Sequence, residues 1–165
     1  MEARMIHIYQ NIYCGNENDA YQVLNSDHWV ILHCCKDPFH KHMVGYKGNL
    51  PPNHPDYKYK IFGRRMALNL VDMDAFSPNY VEFNYDMFKA AFCFLDSFQG
   101  KHNILIHCNQ GESRGPSLTM LYLKHLGYFD EKDISTALNE FKLLYPNYRP
   151  KLNIFKNIQI LWDRF

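Results

Sequence analysis

The sequence predicts an α/β fold: a central, mostly parallel sheet flanked by helices, in one domain spanning residues 1–165. Three observations predict it. Short apolar runs rich in β-branched residues alternate with stretches of helical periodicity along most of the chain. The run Asn103 to Ile106 leads into His107-Cys108-Asn109-Gln110-Gly111-Glu112-Ser113-Arg114 and then a helical pattern, the strand, loop and helix order of a parallel sheet. A hydrophobic content of 47% over 165 residues supports one core, and makes one domain the economical assignment.

The elements follow in order. Met5 to Tyr9 and Asn11 to Cys14 read as two short strands meeting near Gln10, with Gly15 ending the second. Asn16 to Leu24 reads as a short helix capped by Asn16, with Glu17 and Asp19 in the first turn, at the positive end of the dipole. Trp29 to Cys35 reads as a strand, since Val30, Ile31 and Leu32 suit burial on both faces. Residues 36–60 interleave Pro38, Gly45, Gly48, Pro51, Pro52 and Pro55 with Tyr46, Tyr57 and Tyr59. That stretch is too long for an ordinary connection and reads as an irregular insertion, without signs of a domain boundary.

Met66 to Val71 reads as a strand ending at Asp72. Ser77-Pro78-Asn79 introduces a helix for which Asn79 and Glu82 have capping-box spacing, and Phe88, Ala91, Phe92 and Leu95 form its apolar stripe before Gly100. After the loop, Leu118, Leu121, Tyr122 and Leu126 recur at helical spacing and Gly127 is the stop. Asp130 to Leu144 reads as a helix capped by Asp130 and stopped by Pro146; Pro150 to Trp162 is the last, with Ile154, Phe155, Ile158 and Leu161 inward.

Composition narrows the function. Eighteen basic and 17 acidic residues leave a formal charge of +1, which gives no electrostatic case for nucleic acid or an anionic membrane surface. No apolar run approaches the ~20 residues of a membrane span, and Met1 to Met5 leads into a strand without a signal-peptide core. The expectation is a monomeric cytoplasmic protein. Cysteines 14, 34, 35, 93 and 108 are odd in number and fit reduced thiols better than a disulfide framework.

The candidate chemistry lies at residues 107–114. The bare spacing from cysteine to arginine is common by chance, so its setting has to carry the argument. A helix N-terminus presents unpaired N–H groups and positive dipole, which bind an anion and favour thiolate over thiol. Gly111 supplies positive φ inside the loop, so that successive N–H groups turn inward as a nest. Arg114 offers a planar fork for two phosphate oxygens, a task lysine does poorly. Cys108 is thus the candidate nucleophile, with Asn109, Gln110, Gly111, Glu112, Ser113 and Arg114 as the candidate phosphate site.

These residues resemble the dual-specificity branch of the cysteine-based protein tyrosine phosphatases. The likeness rests on His107-Cys108 to Arg114, an acidic loop ahead of it around Asp72, the entry strand Asn11-Ile12-Tyr13-Cys14-Gly15-Asn16, and Asn153 and Phe155 near the end. It covers nearly all the chain except residues 36–60, and the loop is similar to that of small stand-alone bacterial and phage members. The resemblance implies that Cys108 attacks phosphorus of a phosphorylated protein to form a cysteinyl-phosphate, which water then hydrolyses. It implies no metal and no cofactor.

A leaving alkoxide or phenolate needs a proton, and Asp72 and Asp74 are the candidate acids, both at the exit of the 66–71 strand. Matching Phe76 to the aromatic that follows the family's acid loop selects Asp72 over Asp74. His107 is expected to brace the loop, and Ser113 to donate to the thiolate or the loop backbone. The family usually places Ser or Thr after the arginine, where its hydroxyl stabilises the leaving thiolate; here that position is Gly115, followed by Pro116. Slow release of phosphate is expected, relieved by Gly115→Ser, unless Ser113 or Ser117 substitutes.

The resemblance also implies that Cys35, or Cys34, forms a reversible disulfide with Cys108, against the alternative of plain core packing. His33, Cys34, Cys35, His40 and His42 match no standard zinc spacing, and residues 33–35 read as strand positions on alternating faces. Lys36, Asp37, Lys58, Lys60, Arg64 and Arg65 surround the 36–60 stretch, either lining the substrate approach or simply solvated.

Overall fold

The computed structural model describes residues 5–165. Their sheet has six strands: β1 (Ile6–Tyr9), β2 (Ile12–Gly15), β3 (Trp29–His33), β4 (Tyr59–Phe62), β5 (Arg65–Leu68) and β6 (Asn103–His107). They lie in the order β1-β2-β6-β3-β5-β4. The four inner strands run parallel, and β1 and β4 close the edges antiparallel. Register places Gly15 beside His107, His107 beside His33, and His33 beside Ala67. The carboxyl ends of the four parallel strands therefore share one sheet edge, where open α/β sheets place their ligand-binding loops.

Alternation along the strands sorts the core into two faces. Val30, Leu32, Ile104 and Ile106 pack with Phe88 and Phe92 of α3 (Val81–Asp96), Leu118 and Leu121 of α4 (Arg114–His125), and Ile158 of α6 (Leu152–Leu161). Ile31, Leu105 and Ala67 point the other way, against Ala20 of α1 (Glu17–Val23) and Phe39. This smaller cluster sits behind the site. Among the described residues no helix is long and apolar enough to cross a membrane.

Several boundaries match the sequence pattern closely. Asn16 caps α1 in a complete capping box with Asp19, and Gly127, at φ 89°, follows α4. Others differ for local reasons. Asn79 does not cap α3: residues 78–80 form a 3-10 turn that leads into the helix without a side-chain cap, and Glu82 instead accepts from Arg164 at 2.8 Å. Asp133, not Asp130, caps α5 (Ile134–Leu144), accepting from the Thr136 N–H at 2.8 Å, because residues 127–132 stay in turns with Glu131 at φ 62°. The 36–60 stretch is only partly irregular. Residues 36–40 form a wide helical turn running into α2 (Lys41–Val44), which Gly45 ends at φ 93°, and Tyr59 begins β4.

Candidate active site

Cys108 is the first residue beyond β6 and Arg114 is the first of α4, so the loop between them is held at both ends by largely buried elements. Its backbone polarity is sorted. The Asn109 carbonyl accepts from Glu17 N–H at 3.2 Å, Gly111 from the Tyr145 hydroxyl at 2.6 Å, and Glu112 from Arg149 N–H at 2.7 Å. The Cys108 carbonyl meets His107 Nδ1 at 3.1 Å. Among the described residues, no N–H from Asn109 to Ser113 donates to a protein acceptor. Carbonyls tied outward and amides left free make an anion nest.

Gly111 is required by both its backbone and its surroundings. Its φ is +73°, and a Cβ there would stand 3.0 Å from the Gly15 carbonyl oxygen and from the Tyr145 hydroxyl. Gly115 is fixed by close approach alone: a Cβ would come within 2.9 Å of Cys108 N and of the His107 carbonyl carbon. The expectation that Gly115→Ser simply restores a hydroxyl is therefore corrected, since the added carbon pushes on the backbone of His107 and Cys108.

Arg114 is clamped at its tip. Nη1 donates to the Leu70 carbonyl at 2.9 Å and Nη2 to Asn109 Oδ1 at 2.6 Å, while Nε is buried without a protein partner. The Asn109 amide in turn donates to Glu17 Oε2 at 3.0 Å and to the Asp37 carbonyl at 2.9 Å. The guanidinium is thus oriented by three separate segments of chain before any anion arrives. A pre-set fork loses little side-chain entropy on binding.

Cys108, Asn109, Gln110, Glu112, Ser113 and Arg114 line one cleft of about 410 Å³, together with Asp72. Asp72 Oδ1 accepts from the Ser113 hydroxyl at 3.0 Å, whereas Asp74 is 91% exposed and only 3.6 Å from Lys151 Nζ. Ser113 is turned toward Asp72, Ser117 pairs with the Tyr148 hydroxyl at 2.7 Å, and Thr119 donates to the Gly115 carbonyl at 2.8 Å. Among the described residues none of these hydroxyls bonds the Cys108 sulfur.

Cys34 and Cys35 are fully buried, with the Cys34 N–H donating to the His107 carbonyl at 2.8 Å. Burial pushes the Cys35 thiol up to about 12, with Cys108 adding to the rise and Arg114 opposing it. The Cys34 thiol is raised by the same burial and also by Cys108. His40 bonds the Tyr46 hydroxyl at 2.7 Å and the Asp56 carbonyl at 2.9 Å, and so packs the 36–60 stretch down.

The rim holds residues the sequence motifs did not single out. Arg149 and Lys151 face the cleft, as do Lys36 and Asp37, which the sequence left open between site and solvent. Arg149 and Lys151 flank Pro150 just before α6, a basic pair at a helix entry that was the available signal. The loop that carries Asp72 is fastened there too: Ser77 N–H donates to Asn153 Oδ1 at 3.1 Å and Asn153 N–H to the Met73 carbonyl at 3.4 Å.

Solved structures share this architecture. DUSP15 matches at 17% identity with a TM-score of 0.64, over 95% of this chain and 86% of that one. A human tyrosine phosphatase-like serine/threonine/tyrosine-interacting protein matches at 16% identity and a TM-score of 0.65, over 97% of this chain and 96% of its own. Tk-PTP in the active form matches at 15% identity and a TM-score of 0.64, over 98% and 97%. No protein-family model matches the sequence, and no curated protein does either. At such identities the likeness establishes the architecture: this chain has the fold of the dual-specificity phosphatases.

Proposed function

We propose that the protein is a cysteine-dependent phosphomonoesterase acting on phosphotyrosine and on phosphoserine or phosphothreonine in proteins. The observation that carries this reading is the sorted loop: five successive amides without protein acceptors, wrapped between Cys108 and the buried Arg114 Nε. Cys108 Sγ, as thiolate, attacks phosphorus; the S–P bond forms as the ester P–O bond breaks. Asp72 delivers its proton to the departing oxygen, while Arg114 and the loop amides hold the equatorial oxygens. Water then attacks phosphorus, giving a proton back to Asp72, and the S–P bond breaks to release inorganic phosphate and the thiolate. Lys36, Arg149 and Lys151 at the rim favour an anionic substrate.

A second reading has its own support. With no hydroxyl of the described residues on the Cys108 sulfur, the leaving thiolate is poorly stabilised, and a structural neighbour carries the name tyrosine phosphatase-like. On this reading the chain captures phosphoproteins without turning them over. Hydrolysis of an aryl phosphate by the wild type and by Cys108→Ser separates the two. Wild-type turnover abolished by Cys108→Ser supports the enzyme; no wild-type turnover with retained phosphopeptide binding supports the module.

A further inference from the structure

A hydrogen-bonded chain reaches the loop from behind. Arg65 Nε donates to His33 Nε2 at 3.0 Å, His33 Nδ1 and His107 Nε2 lie 2.5 Å apart, and His107 Nδ1 meets the Cys108 carbonyl oxygen at 3.1 Å. The order of protons along it is forced. A guanidinium N–H only donates, so His33 Nε2 accepts and its proton sits on Nδ1. That proton is donated to His107 Nε2, which leaves the His107 proton on Nδ1, facing a carbonyl that only accepts. Any other order sets lone pair against lone pair, or proton against proton, at one of the links.

The surroundings hold both rings in place and uncharged. His33 and His107 are fully buried. Phe39 stacks on His33 with centroids 4.3 Å apart and meets His107 edge-on at 4.9 Å. The charged groups around the pair are Arg65 from β5 and Arg114 from α4, with Tyr21 of α1 acting on Arg65. Burial opposes a protonated ring at both positions, helped by Arg65 at His33 and by Arg114 and Arg65 at His107, where the bond to the Cys108 carbonyl pulls the other way.

We propose that Arg65 and His33 are positioning residues that act through His107 to keep the Cys108 carbonyl turned out of the cleft, so that the following amides stay free for the phosphoryl oxygens. The chain runs from Arg65 at the start of β5 to His33 and His107 at the carboxyl ends of β3 and β6, so each link lies on a rigid strand or its exit. The rate consequence rests on the phosphomonoesterase reading; the proton order does not.

The experiment has two arms. Long-range ¹H–¹⁵N correlation on histidine-labelled protein reads the tautomers, and the expected result is neutral Nδ1–H rings at both His33 and His107 from pH 8 down to about 5. Aryl phosphate kinetics compare His33→Leu with His33→Gln, whose carbonyl can accept from Arg65 while its amide donates to His107. His33→Leu is expected to lower kcat about tenfold with KM within about threefold, and His33→Gln to recover most of the loss. Melting curves check folding, and Arg65→Met, a change at a half-buried position, tests the same chain if His33→Leu does not fold. An Nε2–H ring at either histidine overturns the proposal. So does wild-type kcat in His33→Leu, or an equal loss in Leu and Gln variants. If wild-type protein hydrolyses no aryl phosphate, the phosphomonoesterase reading fails and the nitrogen shifts alone decide the proton order.

Discussion

Ser113 holds the Asp72 carboxylate in the cleft: its hydroxyl donates to Asp72 Oδ1 at 3.0 Å while accepting the Lys151 N–H at 2.9 Å. Ser113 lies in the loop after β6, Asp72 beyond β5 and Lys151 at the entry to α6, so one hydroxyl joins the Cys108 loop, the Asp72 loop and the segment leading into α6. The geometry separates the two carboxylates that sequence spacing alone did not, because Asp74 stands in solvent.

The acid should therefore reveal itself through the leaving group. Asp72→Asn is expected to lower kcat/KM, which reports the step that expels the leaving group, by about 10² to 10³ on phenyl phosphate, within the range for a general acid, and by far less on an aryl phosphate whose phenolate leaves unaided. Asp74→Asn should stay within about twofold on both. Values of kcat/KM for the two esters check this, and equal losses in kcat/KM for Asp72→Asn on both esters would count against proton delivery. Ser113→Ala should show a smaller leaving-group dependence of the same sign, since it frees the carboxylate without removing it.

Release of phosphate should be the slow step. Each hydrogen bond to a charged group is worth about 1.5 to 3 kcal/mol, so a thiolate without a hydroxyl donor departs about tenfold or more slowly. Rapid-quench mixing with p-nitrophenyl phosphate is expected to give a burst near one equivalent of nitrophenol, and acid-trapped protein should carry phosphate on Cys108. A linear time course from the first turnover would sink this. Gly115→Ser is expected to be slower and less stable than wild type, because its Cβ meets Cys108 N at 2.9 Å.

Acid should unfold the protein through its buried histidines. Burial, with Arg114 and Arg65 nearby, pushes His107 down to about 4, although its bond to the Cys108 carbonyl pulls the other way, and burial holds His33 well below its usual range. Unfolded histidine titrates near 6.5, so between about 6.5 and 4 the unfolded chain binds a proton that folded His107 refuses. The histidine contribution is therefore flat above about pH 7 and falls as the pH drops through that window. His107 alone removes about 2 kcal/mol by pH 5, and His33 adds in the same direction. Urea melts between pH 7.5 and 4.5 read the slope, and His107→Gln should flatten it.

The parts legible in the sequence were those written in local pattern. Asn16 with Asp19, Gly127 after a periodic run, and apolar Ile104 to Ile106 before Cys108 each declare an element within a few residues. β4 was not legible because an edge strand hides little: Phe62 is 74% exposed and carries no apolar period. The 36–40 turn was hidden by Pro38, which reads as a helix breaker, although Phe39 behind it covers His33 and His107. The Arg65 to His107 chain was out of reach for a different reason. It joins residues 32 and 74 positions apart, and only the register of β5, β3 and β6 brings them together.

Oxidation should test what lies beneath the loop. The thiols of Cys34 and Cys35 are held protonated by burial, Cys35 up to about 12, so hydrogen peroxide should oxidise Cys108 before either of them, its sulfur taking one peroxide oxygen to become a sulfenic acid as the other leaves as hydroxide or water. A neighbouring thiol then attacks that sulfur, forming S–S and releasing water. Alternation sends Cys34 into the larger core cluster and Cys35 into the smaller one with Phe39, so the two can be told apart by mutation. Peptide mapping after peroxide is expected to find Cys108 linked to Cys35 or Cys34, with activity restored by dithiothreitol. The Ser variant of whichever cysteine is linked should instead accumulate sulfinic acid at Cys108 and lose activity for good. Sulfinic acid at Cys108 in the wild type, with both neighbours still reduced, would show that burial makes these cysteines packing residues only.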